Sequence, residues 1–413
     1  MREMKSAIVL GAGMIGVATS VHLQKRGWSV VLVDRKQPGH ETSYGNAGII
    51  QSEALRPYPM PHGLGELFKI AAGRTNDVRY HLASLPDHIG PLLRYWWNSF
   101  PAPHARASAA HAAIIACAVR DHEQLIQESG AGNLVRRNGF RVLHREQAML
   151  DAEAAAAEAL RQAYGVKFSI LTSREMQQAE PGLSEGGVGG LHWQEPWTVS
   201  SPGALVTAYA DLFRRGGGSI VRGEAQTLRQ NQNGWSVVTE AGEIDAEAAV
   251  VALGPWSPEL LKRFGYRIPM VRKRGYHRHY AGGSPLDLPL RDAANGYVMA
   301  PMQNGVRITT GAELTSPASK PDLTQLAHAE QAARKLIDLG QPVEPEPWFG
   351  TRPCMPDMLP VIGAAKAHKG LWLNFGHGHQ GFTLGPTSGR LIAELMSGEP
   401  PMVDPFPYRP DRL

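Results

Sequence analysis

The chain has 413 residues, of which 43% are hydrophobic, and its 42 Lys and Arg are nearly balanced by 38 Asp and Glu. This composition excludes a disordered chain, and a net charge of +4 gives no reason to expect nucleic-acid binding. The two scattered cysteines, Cys117 and Cys354, do not form a disulfide framework, and without metal-ligand spacing we expect no metal.

The chain opens with a strand, a glycine turn, a helix, a second strand and an acid. The strands are Ser6–Leu10 and Ser29–Val33, the helix is Met14–Arg26, and the acid is Asp34. No run of ~18 apolar residues occurs, and the basic start leads into a short strand, not a signal-peptide core. We therefore expect a cytoplasmic protein that begins with a dinucleotide-binding unit.

The three glycines, the helix N-terminus and the acid of this unit each have a physical role. Gly11 permits the tight turn, Gly13 lets a pyrophosphate approach the backbone, and Gly16 lets the helix pack on the strand. The helix N-terminus presents amide groups and a positive dipole end to the phosphates. Asp34 accepts hydrogen bonds from ribose hydroxyls, and its charge disfavours the 2′-phosphate of NADP.

Further elements are predicted along the rest of the chain. Ser201 and Pro202 indicate the N-cap and first residue of a helix that runs to about Arg215. Strands are predicted at Val250–Leu253, Val271–Arg278 and Gly296–Thr310.

Two glycine-rich segments favour FAD over NAD. The segment 42–48 has small and hydroxyl-bearing residues that let a loop wrap a pyrophosphate and a flavin. The segment 374–385 precedes a helix predicted at about Pro386–Met396. Glycine-dense backbone that opens a helix again indicates an anionic or electron-rich ligand.

Together these motifs resemble the D-amino-acid oxidase superfamily of FAD-dependent oxidoreductases, nearest to the bacterial D-amino-acid dehydrogenases and glycine oxidases. The resemblance rests on GAGMIG at 11–16, Asp34, TSYGNAG at 42–48, VVALGPWS at 250–257, GTRPCMPDMLPVIG at 350–363 and GHGHQGFTLGP at 376–386. It implies an α/β fold, with a Rossmann-type FAD-binding domain and an interleaved α+β substrate domain carrying an antiparallel sheet.

The expected domain bounds follow from the order of these motifs. The FAD-binding domain is expected at 1–84, 186–260 and 348–413. The substrate domain is expected at 85–185, which looks largely helical, and at 261–347, which is rich in strands.

The resemblance implies FAD that is bound without a covalent link. Some related sarcosine oxidases attach FAD to a cysteine in this general stretch, but Cys354 follows Arg352 and does not match that position. The implied cofactor-binding residues are Gly11, Gly13, Met14, Ile15, Gly16, Asp34, Arg35, Ser43, Asn46, Ala47, Gly48, Gly254, Gly378, His379, Gln380, Gly381, Phe382 and Thr383.

The resemblance also implies a catalytic site for a small amino acid, expected to be a D-amino acid. Arg352 is expected to grip the substrate carboxylate, Tyr276 to share it, and His379 to lie at the flavin edge. The implied reaction is oxidative deamination. Hydride passes from Cα to flavin N5, and the imino acid is then hydrolysed to an oxo acid and ammonia.

Several alternatives stay open. The electron acceptor is a quinone or another carrier in a dehydrogenase, and oxygen in a glycine- or sarcosine-type oxidase. The chain also fits a flavin subunit of an opine or hydroxyproline dehydrogenase, whereas a non-catalytic flavin carrier would need no Arg352. Oligomerisation is open too. The aromatic residues Tyr95, Trp96, Trp97 and Phe100 fit either a core or a peripheral contact with the inner face of the membrane.

Overall fold

A computed structural model defines the structure, and it describes residues 5–63, 76, 78–81, 85–315 and 319–413. The strands up to residue 199 are β1 (Ser6–Leu10), β2 (Ser29–Asp34), β3 (Ile49–Ile50), β4 (Val78–Tyr80), β5 (Val135–Arg136), β6 (Phe140–His144), β7 (Phe168–Thr172), β8 (Gly189–Trp193) and β9 (Trp197–Val199). The later strands are β10 (Ser219–Arg222), β11 (Arg229–Asn231), β12 (Gly234–Thr239), β13 (Gly242–Ala246), β14 (Ala248–Val251), β15 (Val271–Gly282), β16 (Leu290–Asp292), β17 (Tyr297–Met302), β18 (Gly305–Thr310), β19 (Ala312–Leu314), β20 (Gly340–Pro342), β21 (Trp348–Cys354), β22 (Val361–Ala364) and β23 (Leu371–Phe375).

Ten helices of the described residues lie between or after these strands in the chain. They are α1 (Met14–Gln24), α2 (Leu85–Asn98), α3 (Pro101–Ile115), α4 (Ala118–Ser129), α5 (Gln147–Tyr164), α6 (Ser173–Ala179), α7 (Pro202–Arg215), α8 (Ser257–Lys262), α9 (Thr324–Leu336) and α10 (Gly381–Ser397). As predicted, α7 starts at Pro202, and the hydroxyl of Ser201 accepts a hydrogen bond from the amide of Ala204 at 3.4 Å.

A six-stranded, mostly parallel sheet forms one half of the molecule. In the described residues its order is β10-β2-β1-β14-β23-β22, and only β22 runs antiparallel to its neighbour. On one face Ala7 and Val9 share a core with α1, α7 and α10, and on the other Ile8 and Leu10 pack in the core that contains Trp235. Both faces are covered, which is why these strands are almost continuously apolar.

A larger, mostly antiparallel sheet lies beside it. Its described strands follow the order β4-β19-β15-β18-β17-β16-β6-β8-β7, and β20 and β21 also pair with β15. Because strand side chains alternate, Lys273 and Gly275 of β15 lie on one face and Arg274 and Tyr276 on the other. Lys273 pairs directly with Arg352 of β21, so these two side chains share a face. The predicted fold class is confirmed.

Three strands differ from the expected domain bounds. β4, β8 and β21 pair within the large sheet, although 1–84, 186–260 and 348–413 were assigned to the FAD-binding domain. The segment 85–185 contains α2 to α6 as expected, but also β5, β6 and β7. The sequence of a short strand does not indicate which sheet it joins, because this depends on hydrogen-bonding partners that are distant in the chain.

The last helix starts earlier than predicted. α10 begins at Gly381, and Pro386 lies inside it. Proline has no N–H for the carbonyl of Phe382, four residues back. Nε2 of the buried His122 lies 3.0 Å from that carbonyl, and Nδ1 lies 3.0 Å from the hydroxyl of Tyr209. Thus α10 accommodates Pro386 because a histidine of α4 replaces the missing donor.

The aromatic residues of α2 divide between core and surface. Tyr95 is buried, and its hydroxyl donates to the carbonyl of Tyr58 at 2.5 Å. Trp97 is 65% exposed, and Leu93 and Ile89, one and two turns earlier, are 62% and 58% exposed. In the part of the chain that the structure describes, no helix is both long and apolar enough to cross a bilayer.

Candidate functional site

A long cleft lies at the carboxyl edge of the parallel sheet. This edge is where open α/β sheets bind nucleotides, since loops diverge there from neighbouring strands. The cleft encloses about 1150 Å³. Its lining comes from five loops, at residues 11–15, 34–46, 223–226, 252–256 and 374–382.

The glycine turn shapes one wall of the cleft. Gly11 has a φ of +104°, which a side chain rarely adopts, and a Cβ on Gly16 would lie 1.7 Å from the Gly11 carbonyl oxygen. Gly16 therefore serves helix packing, as predicted, and does not line the cleft. Gly13 is the N-cap residue of α1, and no side chain caps that helix. Apart from the Met14 amide, which donates to Ser43 Oγ at 3.0 Å, the helix N-terminus is left for an anionic ligand.

Asp34 and Arg35 lie at the nucleoside end of the cleft. Asp34 accepts hydrogen bonds from the amides of Ala12 at 2.6 Å and Lys36 at 2.9 Å, and burial raises the pKa of its carboxyl group. The guanidinium of Arg35 stacks over the ring of Trp256 at 4.6 Å. The guanidinium and the indole ring form a flat surface that is suited to stacking against an adenine ring.

The opposite end of the cleft contains buried polar atoms without protein partners. Among the described residues they are His377 Nε2 and Asn374 Oδ1, and the neighbouring Gln380 Oε1 is likewise buried without a partner. Burial lowers the pKa of His377 to about 3, so its ring is neutral. No side chain caps α10, which begins here. Orphaned polar atoms beside a helix N-terminus fit the polar edge of a flavin ring, whose partial negative charge such a dipole favours.

Most of the predicted cofactor-binding residues meet in this cleft. Those that line it are Gly11, Gly13, Met14, Ile15, Asp34, Arg35, Ser43, Asn46, Gly254, Gly378, His379, Gly381 and Phe382. Gly16, Ala47, Gly48 and Thr383 are not brought to its surface, and Gln380 lines a neighbouring cavity instead. Gly48 is needed for packing, because a Cβ there would lie 2.3 Å from the Val199 carbonyl oxygen, and Thr383 Oγ1 accepts from the Gln51 amide at 3.1 Å.

Sequence reasoning missed part of the lining. The missed residues include Glu41, Thr42, Gly223, Glu224, Ala225, Gln226, Pro255, Trp256 and Pro353. Gly223–Gln226 follow β10, the edge strand of the parallel sheet. The strand pattern Ser219–Arg222 after α7 is the signal that would have located them.

A second cavity adjoins the flavin end of the cleft. It encloses about 430 Å³ and shares Gly376–His379 with the cleft. Its other lining residues are Arg56, Pro57, Tyr58, Tyr95, His111, Cys354, Met355, Met358 and Gln380. A substrate in this cavity would lie against the flavin end of the cleft.

Arg352 lies behind this cavity on β21. Its guanidinium donates to the carbonyls of Gly311 at 2.8 Å and Thr310 at 3.2 Å. In the described residues it has no carboxylate partner within ion-pair distance. Cys354 lies two residues further on the same face, and burial raises the pKa of its thiol against the opposing charges of Lys273 and Arg352. The positive charge of Arg352 therefore lies behind the wall of the cavity to which Cys354 contributes.

His379 lines both the cleft and the cavity. It is an exposed residue where the cleft and the cavity meet, and its ring stands edge-on to Tyr58 with centroids 6.0 Å apart. Burial, followed by the charges of Arg352 and Lys273, holds the pKa of His379 well below its usual range. A neutral imidazole therefore lies between the predicted cofactor and substrate positions.

Tyr276 lies elsewhere than its predicted role requires. It is completely buried on the other face of β15, where its hydroxyl donates to Glu313 Oε2 at 2.5 Å and accepts from the amide of Asp322 at 2.9 Å. Burial, followed by the bond to Glu313, raises its pKa to about 12. The alternation of side chains explains the error. Gly275 lies on the face of β15 that is turned towards the cleft, so the side chain of Tyr276 points to the opposite face.

One group of His and acidic side chains outside the site resembles a metal-binding set. Nε2 of His81 lies 2.6 Å from Glu313 Oε1, with Asp322 next to both. Arg79 already donates to Asp322 at 2.7 Å, and Arg274 lies 3.6 Å from Glu313. These cations neutralise the carboxylates, so the cluster is explained as an ion-pair network.

Comparison with known proteins agrees with this arrangement. The model of the DAO family of FAD-dependent oxidoreductases matches residues 6–395. A D-amino-acid oxidase of Bradyrhizobium diazoefficiens is 31% identical over 428 residues, covering 100% of both chains. A D-amino acid dehydrogenase of Chromohalobacter salexigens is 28% identical over 418 residues and 97% of each chain.

Solved structures share the fold. Glycine oxidase from Geobacillus kaustophilus has a TM-score of 0.70 at 22% identity, covering 98% of this chain and 97% of its own. Iminodiacetate oxidase from Chelativorans sp. BNC1 also has a TM-score of 0.70, at 20% identity and 98% coverage of both chains. With the full-length family match and a cleft that fits the cofactor, the chain belongs to the DAO family of FAD-dependent oxidoreductases.

Proposed function

We propose that this protein is a D-amino-acid dehydrogenase that deaminates a small amino acid oxidatively. The observation that carries the proposal is His379 at the junction of the second cavity and the cofactor cleft, with Arg352 on the same face of β21 as Cys354, which lines that cavity. FAD, when bound, supplies the acceptor for the hydride that leaves the substrate Cα. The imino acid that remains is hydrolysed by water to an oxo acid and ammonia.

Arg352 would bind the α-carboxylate of the substrate. Its guanidinium is held by the carbonyls of Thr310 and Gly311, and these bonds fix its direction without neutralising its charge. A planar guanidinium can grip a carboxylate through two parallel hydrogen bonds. One anchored carboxylate then restricts the substrate to orientations in which the Cα–H faces the cofactor, and such positioning contributes much of the rate.

The charge around the cavity favours the reactive form of the substrate. The amine must be neutral for its lone pair to assist hydride departure. Positive charges from Arg352 and Lys273 act on this cavity, as their effect on the pKa of His379 shows. The same charges would lower the pKa of a bound ammonium group and promote loss of its proton.

Names of the relatives support a D-amino acid as substrate. The two full-length relatives described above are called D-amino-acid oxidase and D-amino acid dehydrogenase. These two names leave the electron acceptor open, since it is oxygen in an oxidase and another carrier in a dehydrogenase. A flavin carrier without a substrate is disfavoured, because it has no use for Arg352 beside a second cavity.

The exposed face of α2 supports a membrane-bound acceptor such as a quinone. Ile89, Leu93 and Trp97 form an apolar stripe along this helix. The same helix carries Arg94 and the next helix carries Arg106, whereas Asp87 is the one acidic residue of residues 85–115. An apolar stripe with a basic surround suits an anionic membrane surface, where Trp side chains are favoured. We include peripheral membrane contact in the proposal on this basis.

The function is tested by anaerobic reduction of the bound flavin. D- and L-amino acids are mixed with the holoenzyme, and bleaching of the flavin absorbance is followed. We expect rapid bleaching by one or more D-amino acids and slow or no bleaching by their L-enantiomers. Bleaching by L-amino acids alone, or only by amines without a carboxylate, would contradict the proposal.

The acceptor is tested in a second experiment. Substrate-reduced enzyme is reoxidised by air-saturated buffer or, under anaerobic conditions, by a soluble quinone analogue. We expect the quinone to be much faster. Equal rates with stoichiometric hydrogen peroxide would make the protein an oxidase.

A further inference from the structure

Two cations lie side by side at the second cavity. Lys273 and Arg352 are direct partners in the β15–β21 ladder, so both project from the same face. The ammonium of Lys273 lies 4.7 Å from the ring centre of Tyr95, which lines the cavity, and its charge acts on Cys354 and His379, two other lining residues. Both positive charges therefore act on one small enclosed space.

Neighbouring cations on β15 are neutralised, whereas this pair is not. Arg272 forms an ion pair with Glu259, and Arg274 lies 3.6 Å from Glu313. In the described part of the chain, Lys273 and Arg352 form no ion pair with a carboxylate. Arg352 donates to two carbonyls, and Lys273 contacts the ring and the hydroxyl of Tyr95. Two adjacent, partly buried cations repel each other and are costly without counter-ions.

We propose that the substrate carries a second anionic group and belongs to the class of dicarboxylic D-amino acids, such as D-aspartate and D-glutamate. Its α-carboxylate binds Arg352 and its side-chain carboxylate binds Lys273. The assignment rests on the proposed function. A substrate with one carboxylate would neutralise only one cation and leave the other without a counter-ion.

The two side chains suit these two tasks. The rigid guanidinium of Arg352 holds the carboxylate that must be oriented for reaction. The ammonium of Lys273 is a compact charge on a flexible stem, so it can follow a side-chain carboxylate of different lengths. The site should thus accept both D-aspartate and D-glutamate, while their amides leave Lys273 uncompensated.

The first test compares flavin reduction by each acid with reduction by its isosteric amide, D-asparagine or D-glutamine. The wild-type holoenzyme is expected to favour the acids by at least about tenfold in kcat/KM. Lys273→Met should abolish this preference, because it should slow the acids at least about tenfold more than the amides. Arg272→Met is the matched control, since it removes a cation of the same strand on the opposite face, and it should keep the preference.

The second test measures binding without turnover. Succinate and its monoamide succinamate are titrated into the holoenzyme, and the flavin absorbance shift gives each Kd. Succinate should bind at least about tenfold more tightly, and Lys273→Met should equalise the two.

The two proposals fail in different ways. If neutral D-amino acids reduce the flavin as fast as the acids, and Lys273→Met slows both series equally, the dicarboxylate assignment is wrong and the proposed function stands. If no amino acid reduces the flavin, both are wrong.

Discussion

The guanidinium of Arg352 lies against Gly275, its neighbour across the β15–β21 ladder. A Cβ at position 275 would lie 2.5 Å from Arg352 Nη1 and 3.0 Å from Cζ. The carbonyls of Gly311 and Thr310 hold the guanidinium from its other side. The missing side chain of Gly275 is therefore what allows Arg352 to lie flat on the sheet behind the second cavity.

Gly275→Ala should displace the guanidinium and impair use of amino acids. A displacement of about 1 Å at a positioning group can cost ~100-fold, so we expect kcat/KM to fall by about 10- to 100-fold with normal FAD content. Gly132→Ala is the control, because a Cβ there meets nothing within 4 Å. Steady-state kinetics with a D-amino acid measure the effect, and wild-type values for Gly275→Ala would contradict the packing argument.

Removing Arg352 should lower kcat/KM for substrates that carry a carboxylate and leave kcat/KM for other amines unchanged. Loss of one partner from a buried charged pair costs ~2–5 kcal/mol, so Arg352→Ala should lower kcat/KM by about 30-fold to several thousandfold. Arg352→Lys should recover only part of the loss, because it keeps the charge without the planar fork. Amines without a carboxylate should be insensitive. Near-normal turnover of amino acids by Arg352→Ala would remove this residue from the site.

The glycine turn should be essential for cofactor binding. Gly13 lines the cleft, and a larger side chain there would occupy the space of the pyrophosphate. Gly13→Leu should give folded protein with little flavin, as measured by absorbance and circular dichroism.

Wild-type protein precipitated with acid should release FAD into the supernatant, as expected for non-covalent binding. Flavin that stays in the pellet would show a covalent link, and full FAD content in Gly13→Leu would contradict the assigned role of the turn.

Acid should destabilise the fold in part through His122. Burial lowers the pKa of His122 from 6.5 to about 4. Between these pH values the unfolded chain binds a proton that the folded protein does not, so the free energy of unfolding falls as pH decreases. His122→Gln should reduce this slope by up to ~1.4 kcal/mol per pH unit between about pH 6.5 and 4, as measured by urea unfolding. His328→Gln, at an exposed position, should leave the slope unchanged.

The apolar stripe of α2 should bind anionic membranes. Replacing Ile89, Leu93 and Trp97 by Ser removes the exposed apolar face and should lower co-sedimentation with vesicles that contain anionic lipid by at least about tenfold. The rate with a soluble D-amino acid and a soluble quinone should hardly change. Ile170→Ser, at another exposed apolar position, is the control. Vesicle binding that survives the triple substitution would exclude this face as the contact.

The sequence alone determined the nucleotide-binding half of the site. The strand, glycine turn, helix and acid at 6–34 form one local unit, and its spacing directly reports how the chain turns. Gly13, Asp34 and Ser43, which were predicted to bind the cofactor, all line the cleft. Local geometry is encoded in neighbouring residues, so it can be read from them.

Only the tertiary structure decided which residues surround the substrate cavity. Tyr276 and Lys273 are three positions apart, yet the pleat of β15 and its pairing with β21 turn one into the core and the other towards the cavity. Likewise Pro386 predicted a helix start, but His122, more than 250 residues earlier, lets α10 begin at Gly381. Sheet register and distant hydrogen bonds join segments that are far apart in the chain, and no local pattern specifies such partners.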